Sequence, residues 1–120
     1  MIKGIGLDII EMQRIKKSMA RQERFVNRIL TENEKKIFNK LLNKRRKIEF
    51  LAGRFAAKEA FAKAAGCGIG KLSFQHIEVL HRKNNAPLLR VKGYEADHIF
   101  ISITHSKDYA AAQVIIEEHN

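Results

Sequence analysis

The segment Phe50–Gly66, FLAGRFAAKEAFAKAAG, constrains this chain more than any other. Its texture predicts a long helix, roughly Ile48 to Ala65, closed by Gly66 as a C-cap. On a helical wheel, Phe55, Ala52, Ala56, Ala62 and Lys63 all fall within about 60° of Glu59. The opposite side carries Phe50, Ala57, Phe61 and Ala64. Neither side is polar, so this helix must be covered nearly all round. Its one acid then needs explaining, because a carboxylate taken out of water requires a charged partner or a metal. An exposed Glu59–Lys63 pair, worth about 0.3–0.5 kcal/mol, is the plainer reading, and the missing polar face speaks against it.

A second isolated acid, Asp8, stands in GLDII. An Asp at the end of an apolar strand can also be no more than the N-cap of a following helix. Two acids in apolar settings beside the glycine-rich GCGIG (residues 66–70) favour a hard-cation site with oxygen ligands. GCGIG lacks the Gly-Lys-Ser/Thr ending of a Walker A loop. Its glycines allow backbone N–H groups to approach an anion, or simply stop the helix in a tight turn. His105, in SITHS, stands where a strand gives way to a loop, a place for a hydrogen-bonded structural residue or for a phosphate or acid/base role.

The remaining pattern places these residues. Residues 2–10, with Gly4 and Gly6 among Ile and Leu, predict a buried strand ending near Asp8. Residues 11–29 have helical spacing with an interruption near Ala20. Thr31 and Glu34 form a capping-box signature for a helix to about Leu42. The cluster NKRRK (residues 43–47) reads as a linker or basic turn. After the long helix, Leu72–Leu80, Pro87–Lys92, His98–Thr104 and Tyr109–Glu117 read as strands, with HRKNNA and HSKD short enough for hairpins. Helices early and short-linked strands late predict an α+β domain with a largely antiparallel sheet. At 120 residues, a single domain spanning 1–120 is expected.

Cys67 is the sole cysteine, so a reducing cytoplasm is the expected home. No apolar run approaches the ~20 residues of a membrane span, and the first residues lack a signal-peptide pattern. Of the net charge of +10, the first 47 residues supply +9, from 14 Lys/Arg against 5 Asp/Glu. Such a lopsided field attracts an acidic partner. Arg14, Lys17, Arg21, Arg24 and Arg28 fall on one arc if residues 11–29 are a single helix, with Phe25 beside them as an apolar anchor. A nucleic-acid-binding module is the rival reading of this charge. It has no recognition motif, and it leaves both secluded acids unexplained.

Together GIGLDIIE, EFLAGRFAAKEAFAKAAGCGIG, LSFQHIEV and ISITHS…AAAQVIIE resemble the holo-acyl-carrier-protein synthases, small single-domain phosphopantetheinyl transferases. The likeness runs in order along nearly the whole chain. It implies transfer of the phosphopantetheine arm of coenzyme A to a serine of apo-acyl carrier protein, releasing adenosine bisphosphate. It implies Asp8 and Glu59 as Mg²⁺ ligands, with Glu59 and Lys63 as catalytic groups and Lys63 meeting the phosphates. Arg46, Arg54, Gly66, Gly68, Gly70, Pro87 and His105 are implied to bind coenzyme A. Arg14, Arg21, Arg24, Phe25 and Arg28 would face the acidic carrier protein. A homotrimer with active sites between subunits is implied as well. Three positions depart from the family pattern: Cys67 stands where Thr is usual, Asn85-Ala86-Pro87 replaces Gly-Lys-Pro, and Phe100 replaces His.

Overall fold

The computed structural model describes residues 1–70 and 72–119. Strand β1 (Ile2–Glu11) leads into helices α1 (Met12–Arg21), α2 (Arg24–Ile29), α3 (Glu32–Lys40) and α4 (Lys44–Ala65). A single 3₁₀ turn, Phe74–His76, precedes strands β2 (Ile77–His81), β3 (Pro87–Val91), β4 (His98–His105) and β5 (Tyr109–Glu117). The sheets are antiparallel, as the sequence predicts, but there are two: β1-β5-β4 and β2-β3.

Helix α4 lies across the three-stranded sheet, and two glycines permit it. A Cβ on Gly6 would stand 1.8 Å from the Ala60 carbonyl oxygen; one on Gly4 would stand 1.9 Å from that of Ala64. Neither position tolerates a side chain without moving the helix backbone. The helix answers with alanine at 52, 56, 60 and 64, one i, i+4 row, all buried. Its other side is equally enclosed: Leu51 and Phe61 are fully buried, and Phe61 meets Tyr94 edge-on at 5.0 Å. Each such side chain contributes about 1.5–3 kcal/mol by leaving water. The all-round burial expected of this segment is what the fold provides.

Several boundaries differ from the sequence reading. β1 continues past Asp8 to Glu11 and is buried on one face only, with Ile5, Leu7 and Ile9 exposed. Residues 11–29 break as expected, but at Gln22 and not at Ala20. Gln22 is extended, and α2 turns so that Phe25 packs on Phe55 (6.4 Å) and Phe55 on Phe74 (5.7 Å). Residues 43–47 are not a linker. Asn43 Oδ1 accepts from the N–H groups of Arg45 (2.7 Å) and Arg46 (3.3 Å), so Asn43 is the N-cap of α4. Three cations in a first turn oppose the helix dipole, which is why the segment looks unhelical in isolation. Phe74–His76 form the 3₁₀ turn instead of the start of β2, with Ser73 Oγ as the cap accepting from Gln75 N. Asn85, where the family pattern has glycine, adopts φ 70°, the left-handed region that Asn tolerates better than most residues.

The capping box at α3 forms as expected and does more than cap. Glu34 is 1% exposed. One carboxylate oxygen accepts from Thr31 N (2.8 Å) and Lys58 Nζ (2.6 Å), the other from Val79 N (2.8 Å). Lys58, fully buried, also donates to the carbonyls of Ile29 (2.6 Å) and Phe74 (3.2 Å). One ion pair thus joins α2, α3, α4 and β2. Removing one partner strands a buried charge, which typically costs about 3–5 kcal/mol. Lys58→Met is therefore expected to lose about that much stability in urea unfolding, and a loss below about 1 kcal/mol would contradict this role.

Candidate active site

Helix α4 has two flanks with opposite chemistry. On one, β1 and the last turns of α4 bring Asp8, Glu59 and Lys63 together. Lys63 Nζ donates to Asp8 Oδ1 (2.9 Å) and to the Leu7 carbonyl (3.0 Å). The plainer reading, a Glu59–Lys63 i,i+4 pair, does not form; Lys63 bridges to Asp8 instead. Burial and the nearby Asp8 charge push the Glu59 carboxyl above its ordinary range, while Lys63 and Arg14 pull the other way. A carboxyl whose ionisation a neighbouring carboxylate opposes could share a cation with it. Among the described residues no group of three or more His, Cys, Asp or Glu could hold a metal. A pair suits Mg²⁺, which commonly takes one or two carboxylates and completes its shell with phosphates and water. The turn after Ala65 has Gly66, Gly68 and Gly70 at φ 78°, 66° and 150°, with no atom within 4 Å of the Cβ each would carry. That open backbone begins one turn beyond Lys63.

The other flank is cationic. Arg46, Arg54 and His105 line one hollow of about 180 Å³ with Leu41, Glu49, Phe50, Gly53 and Ile103. Arg54 lies over the Phe50 ring at 3.8 Å. Its Nε and Nη2 are buried without a hydrogen-bond partner among the described residues. Burial lowers Arg54 to about 10, so it stays charged at neutral pH. A buried guanidinium with idle donors calls for an anion. Glu49 is nearby, 3.9 Å from His105 Nδ1, but Arg45 Nε holds it at 3.1 Å. Pro87 opens β3 opposite His81, whose pKa is lowered by burial and by the Arg54 charge. The β2-β3 hairpin therefore belongs with this flank.

Within one chain the two flanks are apart. β5 separates the β1 and β4 edges, and Glu59 and Arg54 point about 140° apart around the helix. The predicted arginine arc is divided too. Arg14, Lys17 and Arg21 share a hollow on α1, whereas Arg24 and Arg28 belong to α2. Phe25 is half-buried against Phe55 and is no free anchor. Arg28 stands 6.0 Å from the Phe74 ring. Sequence reasoning missed Lys58 and Glu34, and only the capping-box spacing pointed to the latter.

The pattern of the 4'-phosphopantetheinyl transferase superfamily matches residues 4–114. The chain belongs to that superfamily. A holo-acyl-carrier-protein synthase of Bacillus velezensis is 58% identical over 118 residues, covering 98% of this chain and 97% of the relative. The one from Oceanobacillus iheyensis is 55% identical over 117 residues, covering 98% of both. Among solved structures, the Bacillus anthracis synthase in complex with coenzyme A (3',5'-ADP) has a TM-score of 0.90 at 48% identity over 98% of each chain. The Helicobacter pylori synthase with coenzyme A has a TM-score of 0.82 at 34% identity, covering 94% of this chain and 99% of that one. Within the superfamily this chain belongs to the holo-acyl-carrier-protein synthases, and its α+β architecture is theirs. Among the described residues no helix is long and apolar enough to cross a membrane.

The raised Glu59 pKa has a thermodynamic consequence. A folded-state value above the unfolded one means that ionised Glu59 opposes folding once pH passes about 4.3, with the full effect above the folded value. Metal-free Glu59→Gln is expected to melt at or above the parent's temperature at pH 7.5, the difference closing as pH falls toward 4. A variant less stable than the parent at pH 7.5 would show that Glu59 serves the fold.

Proposed function

We propose that this chain moves the phosphopantetheine arm of coenzyme A to a serine of apo-acyl carrier protein at a site built from the Asp8–Glu59–Lys63 and Arg46–Arg54–His105 groups. The observation that carries the reading is the buried Arg54 guanidinium, whose Nε and Nη2 have no partner among the described residues, set apart from the Asp8–Glu59 carboxylates. In the reaction the serine oxygen bonds to the phosphorus bearing the pantetheine arm. The bridging P–O bond of the pyrophosphate breaks, and adenosine 3',5'-bisphosphate leaves. Asp8 and Glu59 would hold Mg²⁺, which when bound supplies Lewis-acid polarisation of the phosphate oxygens. Glu59, whose carboxyl burial and the Asp8 charge hold above its ordinary range, takes the serine proton. Lys63, about half exposed, offsets charge on the departing phosphate. Arg46, Arg54 and His105 grip the phosphate at the nucleotide end, with Pro87 beside them, and Gly66–Gly70 run along the pantetheine side.

Because the flanks are apart within one chain, the complete site forms between subunits, the acids from one and the cations from its neighbour. The outer face of the sheet supports such an assembly. Ile5, Leu7, Ile9 and Phe100 are each more than half exposed there, a contiguous apolar patch of the kind that marks interfaces. The reading takes the assembly to be a homotrimer of single-domain chains, working in the cytoplasm in fatty acid biosynthesis. Mixing chains tests the shared site. Glu59→Gln chains and Arg46→Ala/His105→Ala chains, each inactive alone, are unfolded together at equal amounts and refolded. Random closed trimers place a parental acid side against a parental cation side in about a quarter of the sites. Recovery of roughly that share of the parental rate is expected; no recovery would mean that each chain carries a whole site.

The carrier protein would dock on α1 and α2. Arg14 also acts on Glu59, so Arg21 and Arg24 separate docking from chemistry more cleanly. Each exposed contact contributes about 0.2–1 kcal/mol. Arg21→Ala with Arg24→Ala is expected to raise the carrier KM severalfold, leave the coenzyme A KM nearly unchanged and reduce salt sensitivity. An altered coenzyme A KM with an unaltered carrier KM would place these arginines at the nucleotide instead.

A further inference from the structure

At the end of the three-stranded sheet two imidazoles meet. His98 opens β4 and pairs in register with Glu117 of β5, which also pairs with Ile2 of β1. The backbone N–H of Glu118 donates to the Met1 carbonyl (2.9 Å), which holds the segment beyond β5 alongside the sheet. His119 is thereby brought to His98. Nδ1 of His119 lies 2.8 Å from Nε2 of His98, with ring centroids 4.5 Å apart. On its other side His98 Nδ1 faces Glu117 Oε1 at 3.8 Å.

We propose that His98 and His119 form a two-imidazole chelate for a borderline divalent transition metal of the zinc and nickel class, with Glu117 orienting His98 from behind. At 3.8 Å the carboxylate is beyond direct hydrogen-bond reach and acts on the Nδ1 side of His98 by charge alone, while Nε2 faces His119. A carboxylate behind a histidine is the usual support of a metal-bound imidazole. Two nitrogens on one tetrahedral ion at about 2.0–2.1 Å each stand about 3.3 Å apart, so the rings must part by about 0.5 Å and turn until both lone pairs converge on the ion. His98 is about half exposed, which leaves room for that movement and for water to complete the shell. Lys3, the nearest cation on β1, is engaged by Asp97 at 3.0 Å.

This centre differs from the acidic pair in place and in chemistry. Asp8 pairs with Ala112, five residues before Glu117 along β5, a distance of about 17 Å. Imidazole selects zinc, nickel and copper, whereas carboxylates select magnesium. The chain therefore carries separate positions for a hard and a borderline cation.

Calorimetric titration of the full chain with Ni²⁺ at pH 7.5 tests this, in a Cys67→Ser background that removes the sole thiol. One Ni²⁺ per chain is expected. His98→Ala and His119→Ala should each weaken binding at least tenfold, and His76→Ala should not. Asp8→Asn with Glu59→Gln should retain the Ni²⁺ affinity, which separates this site from the acidic one. Both histidines are exposed, and circular dichroism verifies that each variant is folded. No saturable Ni²⁺ binding, a different stoichiometry, or unchanged affinity in both histidine variants would overturn the proposal.

Discussion

The contact on which the rest depends is backbone against backbone. Gly4 and Gly6 of β1 bring the sheet against the carbonyls of Ala60 and Ala64, closer than any side chain would permit. Everything on the acidic flank follows from that approach. Asp8 stands two residues past Gly6 on the same side of the strand, so it reaches the helix beside Glu59, and Lys63 bridges to it at 2.9 Å. A bulkier residue at position 6 would force the helix away and dissolve the cluster. The alanine row of α4 is the matching half of this arrangement, and it explains why so long a helix carries so few large side chains toward the sheet.

Neighbouring residues of α4 have opposite fates. Lys58 is sealed in, matched by Glu34 and two carbonyls, and holds four elements in place. Glu59, the next residue, is left half-buried against another acid, a placement unfavourable for folding and useful for a cation. Arg54 repeats the theme on the far flank, where a buried charge has donors to spare. Satisfied charges build this fold; on the proposed reading, the unsatisfied ones are left for a substrate.

Much of this was legible in the sequence, for physical reasons. The absence of a polar side on Phe50–Gly66 required a central helix, and alternation with short turns required antiparallel hairpins. Asp8, Glu59 and Lys63 were visible because charge in an apolar setting is improbable without a purpose. Other features depend on tertiary contacts. The helix start at Lys44 was hidden behind three cations that Asn43 and Glu49 accommodate. An interruption near Ala20 was legible, but the turn beyond Gln22 that packs Phe25 on Phe55 is a contact no local pattern reports. That β1 exposes Ile5, Leu7 and Ile9 was equally hidden, since an apolar strand reads the same whether both faces or one meet the core. The separation of the two flanks, and hence the case for a shared site, depends on strand order, which the sequence does not display.

The most direct test of the account compares two glycine variants. Gly6→Ala would press on the Ala60 carbonyl, whereas a Cβ at Gly53 meets only the Ile103 methyl at 3.4 Å. The measurement is the Mg²⁺ concentration giving half-maximal transfer from coenzyme A to apo-acyl carrier protein, followed by the carrier's mass and scaled to the folded fraction. The account expects Gly6→Ala to need at least tenfold more Mg²⁺ than the parent, and Gly53→Ala to need nearly the parental amount. A folded Gly6→Ala protein with the parental Mg²⁺ requirement would contradict it.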